Sequence, residues 1–510
     1  MKNMPTNNRF QPTVRCAARR PTGAICHLWP RYFNRRLLSG AMAACLLAVW
    51  PGAHTKGDPM NPNTDWFQKA GYGVFVHYLD GLQNNREQIH SLGKQTSWDE
   101  CVREFDTERF AQTMKEVGAG YVIFTVMQLT RHMIAPNTTY DRITGYRPGE
   151  ACATRDLIED LYRSLHKRNI PLMLYWTGDG PSRDPKAGQA FGCGTPVSEE
   201  FVRKWTSVVE EYSKRYGSKI AGWWVDGMYP WIGYDDKKLA MTARALKAGN
   251  PHCIVALNRG VDPAVMPYTP HEDFTAGEQN RFFDVPVTRW LQGEQWHILS
   301  FLGPNWAQPG CAYTKASLAE YVGEVHRRGG VVSIDVLLYR DGALDRSQVE
   351  VLKAVRAELD HGGSHPPVPP GNLAYHKQAK LLSLDGTREL PVNSGVHFPR
   401  LGVDGRLDTF AEASDEWPWC YEVDLVDTVP IRRIKVTFAP QGYATHFQVR
   451  ISADRVHWTT AADVDHHDGK PWEGTFAPIE GRYVRVCALK PDGPGQPGGQ
   501  MAIAELEVYR

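Results

Sequence analysis

Short apolar runs alternate with longer amphipathic stretches from about residue 71 to residue 360. The runs "YGVFVHYL", "GYVIFTVM", "PLMLYW", "IAGWWVDG", "CIVALNRG", "WHILSFLG" and "GVVSIDVLLY" are apolar at almost every position, the pattern of a strand covered on both faces. Between them, "TERFAQTMKEVG", "RDLIEDLYRSLHKRN", "EEFVRKWTSVVEEYSKRYG" and "DDKKLAMTARALKAGN" carry apolar residues at helical spacing. Repeated strand-then-helix units predict a parallel sheet with helical crossovers. Seven or eight such units over about 290 residues predict an α/β fold, a (β/α)8-like (TIM-type) barrel, rather than an open dinucleotide-binding sheet. The "GAG" at 118–120 lies between a helix and the next strand, the reverse of the order a dinucleotide loop requires.

The pattern changes after "HGGSHPPVPPGN", residues 361–372, a Pro/Gly linker whose composition predicts few obligatory contacts across it. Beyond it, "CYEVDLV", "IRRIKVTFA", "HFQVRISADRVHWTTA", "RYVRVCAL" and "IAELEVYR" are short alternating strands, which predict a C-terminal antiparallel β-sandwich over 373–510. At the other end, a polar and basic stretch precedes "NRRLLSGAMAACLLAVWPGAHT". Residues 1–58 therefore read as an export leader ending near Ala53, with Arg35-Arg36 and Cys45 only loosely matching twin-arginine and lipoprotein signals. Its apolar run is too short to span a bilayer. The expected organisation is leader 1–58, barrel 59–360, linker 361–372 and sandwich 373–510, in an exported protein, secreted or periplasmic.

Composition narrows the chemistry. A formal charge of +1, from 58 basic and 57 acidic residues, offers nothing that would attract nucleic acid or an anionic membrane. Ten cysteines form no C-x-x-C, which argues against a zinc or redox site; export permits a disulfide or two whose pairing the spacing does not reveal. Sixteen tryptophans suit either core packing or stacking against sugar faces.

In a (β/α) barrel, functional side chains occupy the C-terminal ends of the strands. Here those ends carry His77-Tyr78, Met127-Gln128, Tyr175-Trp176, Trp224 with Asp226, and Asn258-Arg259. The loop after the fifth strand adds Glu272, Asp273 and Glu278. Asp226 stands out, because a carboxylate at the end of a Trp-rich strand is costly unless paired or used. The rim holds no Cys/His metal cluster, no phosphate loop and no G-x-S-x-G elbow. Carboxylates with aromatics point to glycoside hydrolysis without a catalytic cofactor.

These residues carry a resemblance. "GYGVFVHYLDG", "GAGYVIFT", "GWWVDG", "ALNRG", "EDFTAGEQ" and "RRGGVVSIDV" follow one another over residues 65–355 as in the α-L-fucosidases of glycoside hydrolase family 29. The resemblance implies a retaining exo-glycosidase acting on a fucosylated glycan, with Asp226 as nucleophile and Glu278 as acid/base. It implies sugar contacts from His77, Trp224 and Arg259, and less directly from Tyr175 and Trp290. Arg259 is expected to hold Asp226 ionised, with Trp223, Trp224 and Trp231 screening it; Glu272 and Glu294 are the fallback acids. One departure stands out: the family's His-His pair at the end of strand 2 falls on Gln128 and Leu129, with His132 three residues on. Glutamine can bond a sugar hydroxyl and leucine cannot. That leaves open a different deoxy or L-sugar, or a binding protein on a degenerate glycosidase scaffold.

The sandwich resembles the discoidin, or coagulation factor 5/8 type C, module through "GVDGRLDTFAEASDEWPWCYEVDL" and "IAELEVYR". That resemblance implies carbohydrate binding and a structural calcium held by Asp404, Asp408, Thr409 and Glu505. "DVDHHDG" at 463–469 reads as a polar loop, and Asn137 opens an N-x-[ST] sequon.

Overall fold

The structure is a computed structural model describing residues 61–510 except 263, 287, 362–370, 393–396, 408, 414–417, 441 and 491–500. The leader, most of the linker and Asp408 thus lie outside the described residues. Seven parallel strands form one curled sheet: β1 (Tyr72–Val76), β2 (Val122–Thr125), β3 (Leu172–Thr177), β4 (Ile220–Asp226), β5 (Ile254–Leu257), β6 (His297–Phe301) and β7 (Val331–Val336). Their order is β5-β4-β3-β2-β1-β7-β6. Helices Thr107–Val117, Leu157–His166, Glu199–Tyr216, Asp236–Leu246, Lys315–Arg327 and Arg346–His361 supply crossovers and the outer layer. Their ends are set locally. Asp106 caps Thr107–Val117 by accepting from Arg109 N, and Gly118, at φ 68°, terminates it in the left-handed region.

The gap between β5 and β6 is filled by an eighth extended segment, 273–279, which the sequence pattern assigns to a loop. Gly277 O accepts from Leu299 N, and Gln279 N donates to Leu299 O, both at 2.9 Å. On its other side, Asp273 N donates to Val255 O at 2.7 Å. Two carboxylates complete this seam: Asp273 accepts from Val255 N at 2.8 Å and Glu272 from Leu257 N at 3.1 Å. Both acids stand in for the carbonyls of a missing strand ladder, because β5 has donors that cannot be left bare inside the barrel wall.

Strand alternation divides the side chains into two clusters. Phe75, Ile123, Tyr175, Trp224, Ala256, Phe274 and Leu299 fill the barrel interior. Their neighbours Val74, Val122, Trp176, Trp223 and Leu257 pack outward against the helices. Trp223 therefore faces away from Asp226, and the expectation that it screens that carboxylate is corrected. Small residues are required where large ones cross the barrel: a Cβ on Gly73 would lie 2.3 Å from the Tyr121 ring.

The C-terminal unit is an antiparallel sandwich of β8 (Gln378–Ser383), β9 (Trp419–Phe438), β10 (His446–Ser452), β11 (Thr459–Val464), β12 (Trp472–Lys490) and β13 (Ala502–Tyr509). Residues "CYEVDLV" and "IRRIKVTFA", read as two strands, form one long β9 with register shifts at 424/429 and 431/433. Conversely, "HFQVRISADRVHWTTA" divides into β10 and β11. Cys420 and Cys487 face each other across β9 and β12 and are disulfide-bonded.

The junction with the barrel is packed, contrary to the expectation from the linker. Lys377, 3% exposed, places Nζ 3.0 Å from Asp284 Oδ1 and 2.7 Å from Val285 O. The His376 ring stacks on Phe283 at 5.5 Å. No helix among the described residues is long and apolar enough to cross a membrane.

Candidate active site

Alternation brings Trp224 and Asp226 to the inner side of β4, with Asp226 at its C-terminal end. Trp224 is held from both sides: its indole stacks on Tyr175 at 5.7 Å, and its Nε1 donates to Ala276 O at 3.0 Å. Among the described residues, four donors surround Asp226. Oδ1 accepts from Gly227 N (2.8 Å), Tyr229 Oη (2.8 Å) and Asn258 Nδ2 (3.0 Å). Among the described residues, Oδ2 accepts only from Tyr175 Oη, at 2.8 Å. Such a cradle suits a carboxylate, whose oxygens are acceptors alone. Oδ1 is saturated and Oδ2 keeps lone-pair capacity, so Oδ2 is the oxygen free to react.

Asn258, at the end of β5, also donates to Glu278 Oε2 at 2.6 Å. One amide nitrogen therefore bridges the two carboxyl groups. The bridged oxygens can be separated by no more than the sum of the two bond lengths, about 5.6 Å. Gly260 N donates to Asn258 Oδ1 at 3.0 Å and so fixes which end of the amide faces the acids. Glu278 is reached through the wall: in 273–279, Phe274, Ala276 and Glu278 point inward and Glu278 sits at the top. Burial first, and then the charge of Asp226, pushes the Glu278 carboxyl up to about 8, against the opposing pull of Asn258. The same two causes raise the hydroxyls of Tyr175 and Tyr229, keeping both as donors.

His77, at the end of β1, has Nδ1 2.9 Å from Asp335 Oδ1. Asp335 Oδ2 is occupied by Ala307 N at 2.6 Å, and with Nδ1 turned to Asp335, His77 Nε2 is the nitrogen left for a ligand. Gln128 donates from Nε2 to Tyr175 Oη at 2.8 Å. It thereby commits the tyrosine proton to Asp226 rather than being spent on a ligand. Leu129 beside it sits at φ 59°. His132 is engaged elsewhere, 3.4 Å from Asp80 and ring-packed on Trp98 at 5.7 Å.

Several expectations are corrected. Arg259 is not a partner of Asp226: its Nε lies 3.0 Å from Asp262 and its guanidinium covers the Tyr268 ring. Trp290 belongs to a short hairpin preceding β6, at the N-terminal face of the barrel, opposite the site. There the Arg289 guanidinium covers its ring at 4.3 Å, and it lines a crevice with Lys377, Asp427 and Arg510. Trp231 is 58% exposed and does not close over Asp226; it stacks on Tyr229. Glu272 is committed to the backbone donors of Leu257 and Tyr268, with Glu294 as its charged neighbour, and neither is a partner of Asp226. Asn137 is fully buried, its Nδ2 donating to Val208 O, so the sequon is not accessible to a glycan.

One residue is read only by its place and another escapes the sequence reading. Asn258 carries no signal beyond its strand-end position. Asp179, in the loop after β3, is a third acid near Asp226, raised mainly by burial and then by that neighbour. A Cβ on Gly227 would lie 1.7 Å from Asp179 Oδ1, which is why glycine follows Asp226.

In the sandwich, Asp404, Thr409 and Glu505 converge. Thr409 Oγ1 donates to Asp404, and Gly405 N donates to Glu505 Oε2 at 3.0 Å. Glu505 Oε1 is buried without a hydrogen-bond partner, and burial pushes that carboxyl up to about 9. An orphaned oxygen within an all-oxygen set fits a hard cation. In the polar loop, Asp463 accepts from His446 and Gln448. No group of three or more His, Cys, Asp or Glu among the described residues is arranged to bind a metal.

The family model described as alpha-L-fucosidase matches residues 95–363. That described as a NedA-like, galactose-binding domain of F5/F8 type C matches residues 401–486. No curated protein matches the chain. Among solved structures, it is similar to the alpha-L-fucosidase AlfC from Lactobacillus casei in complex with fucose: 17% identity, 59% of this chain, 99% of that one, TM-score 0.41. It is similar to a family 29 fucosidase from Ruminococcus gnavus in complex with fucose: 15% identity, 88% of this chain, 94% of that one, TM-score 0.39. The sandwich is similar to a chitosan-binding module from Paenibacillus sp. IK-5: 26% identity, 27% of this chain, all of that one, TM-score 0.24.

Proposed function

The chain belongs to the alpha-L-fucosidase family of glycoside hydrolases, and from that premise we propose that it is a retaining exo-α-L-fucosidase working through Asp226 and Glu278. The observation that supports the reading is the shared Asn258 amide, which keeps one oxygen of each carboxyl group no more than about 5.6 Å apart, near the about 5–5.5 Å of a double-displacement pair and short of the about 6.5–9.5 Å of an inverting one. In the first step Asp226 Oδ2 attacks the anomeric carbon while protonated Glu278 gives its proton to the glycosidic oxygen. A glycosyl ester forms on Asp226 and the leaving group departs as an alcohol. The ester is neutral, so the charge that helped raise Glu278 is gone and its carboxyl becomes a stronger acid. Glu278, now a carboxylate, takes a proton from water, whose oxygen attacks the anomeric carbon and frees Asp226. Through both steps Tyr175, Tyr229 and the Gly227 N–H stabilise charge on Asp226, and His77 with Trp224 orients the sugar.

Following the first-formed anomer by NMR during hydrolysis of an aryl α-L-fucoside tests this. Retention at the anomeric carbon is expected; β-fucose as first product would remove Asp226 as nucleophile. We place the enzyme outside the cytoplasm, on the strength of the leader and of the Cys420–Cys487 disulfide, which suits an oxidising compartment. N-terminal sequencing of the mature protein checks the cleavage near Ala53. In the sandwich, Asp404, Thr409 and Glu505 would hold a structural calcium that supplies the charge Glu505 lacks. A fall in melting temperature on adding EGTA is the expected sign.

A further inference from the structure

An acid that protonates the glycosidic oxygen must face it, so the leaving group lies on the Glu278 side of the site. On that side a pocket opens between Glu278, Arg259, Gly260 and Asp262. The indole of Trp231 lies against Gly260: that residue adopts φ 106°, and a Cβ there would approach the ring to 2.7 Å. One face of the indole stacks on Tyr229, at 4.6 Å and 13°. Tyr229 in turn donates to Asp226 Oδ1, so the ring is anchored to the catalytic centre itself. Yet Trp231 is 58% exposed, and Val261, next to Gly260, is 48% exposed. An indole stacked on one neighbour and still more than half exposed is a stacking platform. Beside it, the Arg259–Asp262 ion pair, 3.0 Å across, offers donors and acceptors at the same rim.

We infer that Trp231 with the Arg259–Asp262 pair forms the leaving-group subsite and selects the sugar that a fucosylated glycan presents there. Its C–H face lies on the indole and its hydroxyls meet the ion pair; an aryl group would use the ring and leave the charges idle. The inference rests on the hydrolytic reading above and adds the residues that meet the leaving group. Two substrate types separate the contributions. α-L-Fucosyl fluoride has no ring in its leaving group, whereas disaccharides of L-fucose α-linked to galactose or N-acetylglucosamine do. Trp231→Ala is expected to lower the ratio of kcat/KM for disaccharide to that for fluoride by about tenfold or more, with Trp231→Phe keeping most of it. Damage to the fucose site through Tyr229 would depress both substrates and leave the ratio alone. Asp262→Ala is expected to move the ratio in the same direction and serves if the tryptophan variant does not fold. An unchanged ratio in these variants overturns the inference, as does a wild type that cleaves the fluoride and none of the disaccharides. A wild type that cleaves neither overturns the hydrolytic reading and this inference together.

Discussion

Asn258→Ala removes the one group among the described residues that hydrogen-bonds to both acids. Its amide donates to Asp226 Oδ1 at 3.0 Å and to Glu278 Oε2 at 2.6 Å, and alanine leaves both without that donor. A hydrogen bond to a charged acceptor contributes about 1.5–3 kcal/mol. At 1.36 kcal/mol per decade, losing one in the transition state lowers kcat/KM by about 10- to 150-fold. The pH profile carries a second, independent signature. Glu278 works as the acid only while protonated, so activity is present below its pKa and lost above it. Burial and Asp226 place that pKa at about 8, and Asn258 is the one cause pulling it down. The variant's alkaline limb is therefore expected above the wild-type limb. The assay is kcat/KM on a fucosyl disaccharide across neutral to alkaline pH, because an alkoxide leaving group depends on the acid. A melting curve checks that the barrel is intact. A variant within about threefold of wild type, or a limb that moves to lower pH, refutes the bridging role of Asn258.

Asp226→Gly is expected to abolish hydrolysis, with azide restoring part of it as the β-glycosyl azide; unimpaired turnover would remove Asp226 from the chemistry. Burial raises Glu272 to about 7 and Glu294 further, so above about pH 4.5 the folded protein holds protons the unfolded chain has released. Stability is then full at acid pH and falls as pH climbs through about 7, by up to about 1.4 kcal/mol per pH unit for each proton concerned. Glu294→Gln should flatten that slope in thermal melts, and an unaltered slope would exclude the pair as its source. Lys377→Met leaves Asp284 buried without its ion-pair partner and should cost about 3–5 kcal/mol in denaturant unfolding. A cost under about 1 kcal/mol would mean that the junction is solvated rather than buried.

The sequence by itself determines the strands, because a parallel strand covered on both faces is a continuous apolar run that any reading detects. It also determines which chemistry stands at the strand ends. Asp226 is legible as a carboxylate closing "IAGWWV", and Trp224 as its same-face neighbour two residues earlier. The eighth wall segment escapes because "DFTAGEQ" has no such run: Phe274, Ala276 and Glu278 face inward, while threonine and glycine suffice on the other side. Only the tertiary structure decides which strand ends meet. Asn258 spans Asp226 and Glu278, 32 and 20 residues away along the chain, because closure of the barrel sets β5 beside 273–279. The same closure turns Glu272 and Asp273 from candidate acids into substitutes for missing carbonyls, since β5 offers donors that nothing else reaches. Trp290 goes to the far face because a residue preceding a parallel strand lies at that strand's N-terminal end, wherever its sequence neighbours suggest a sugar site. Local pattern fixes the periodicity of each element, but partners across the barrel are set by register and closure, which are sums over contacts distant in the chain.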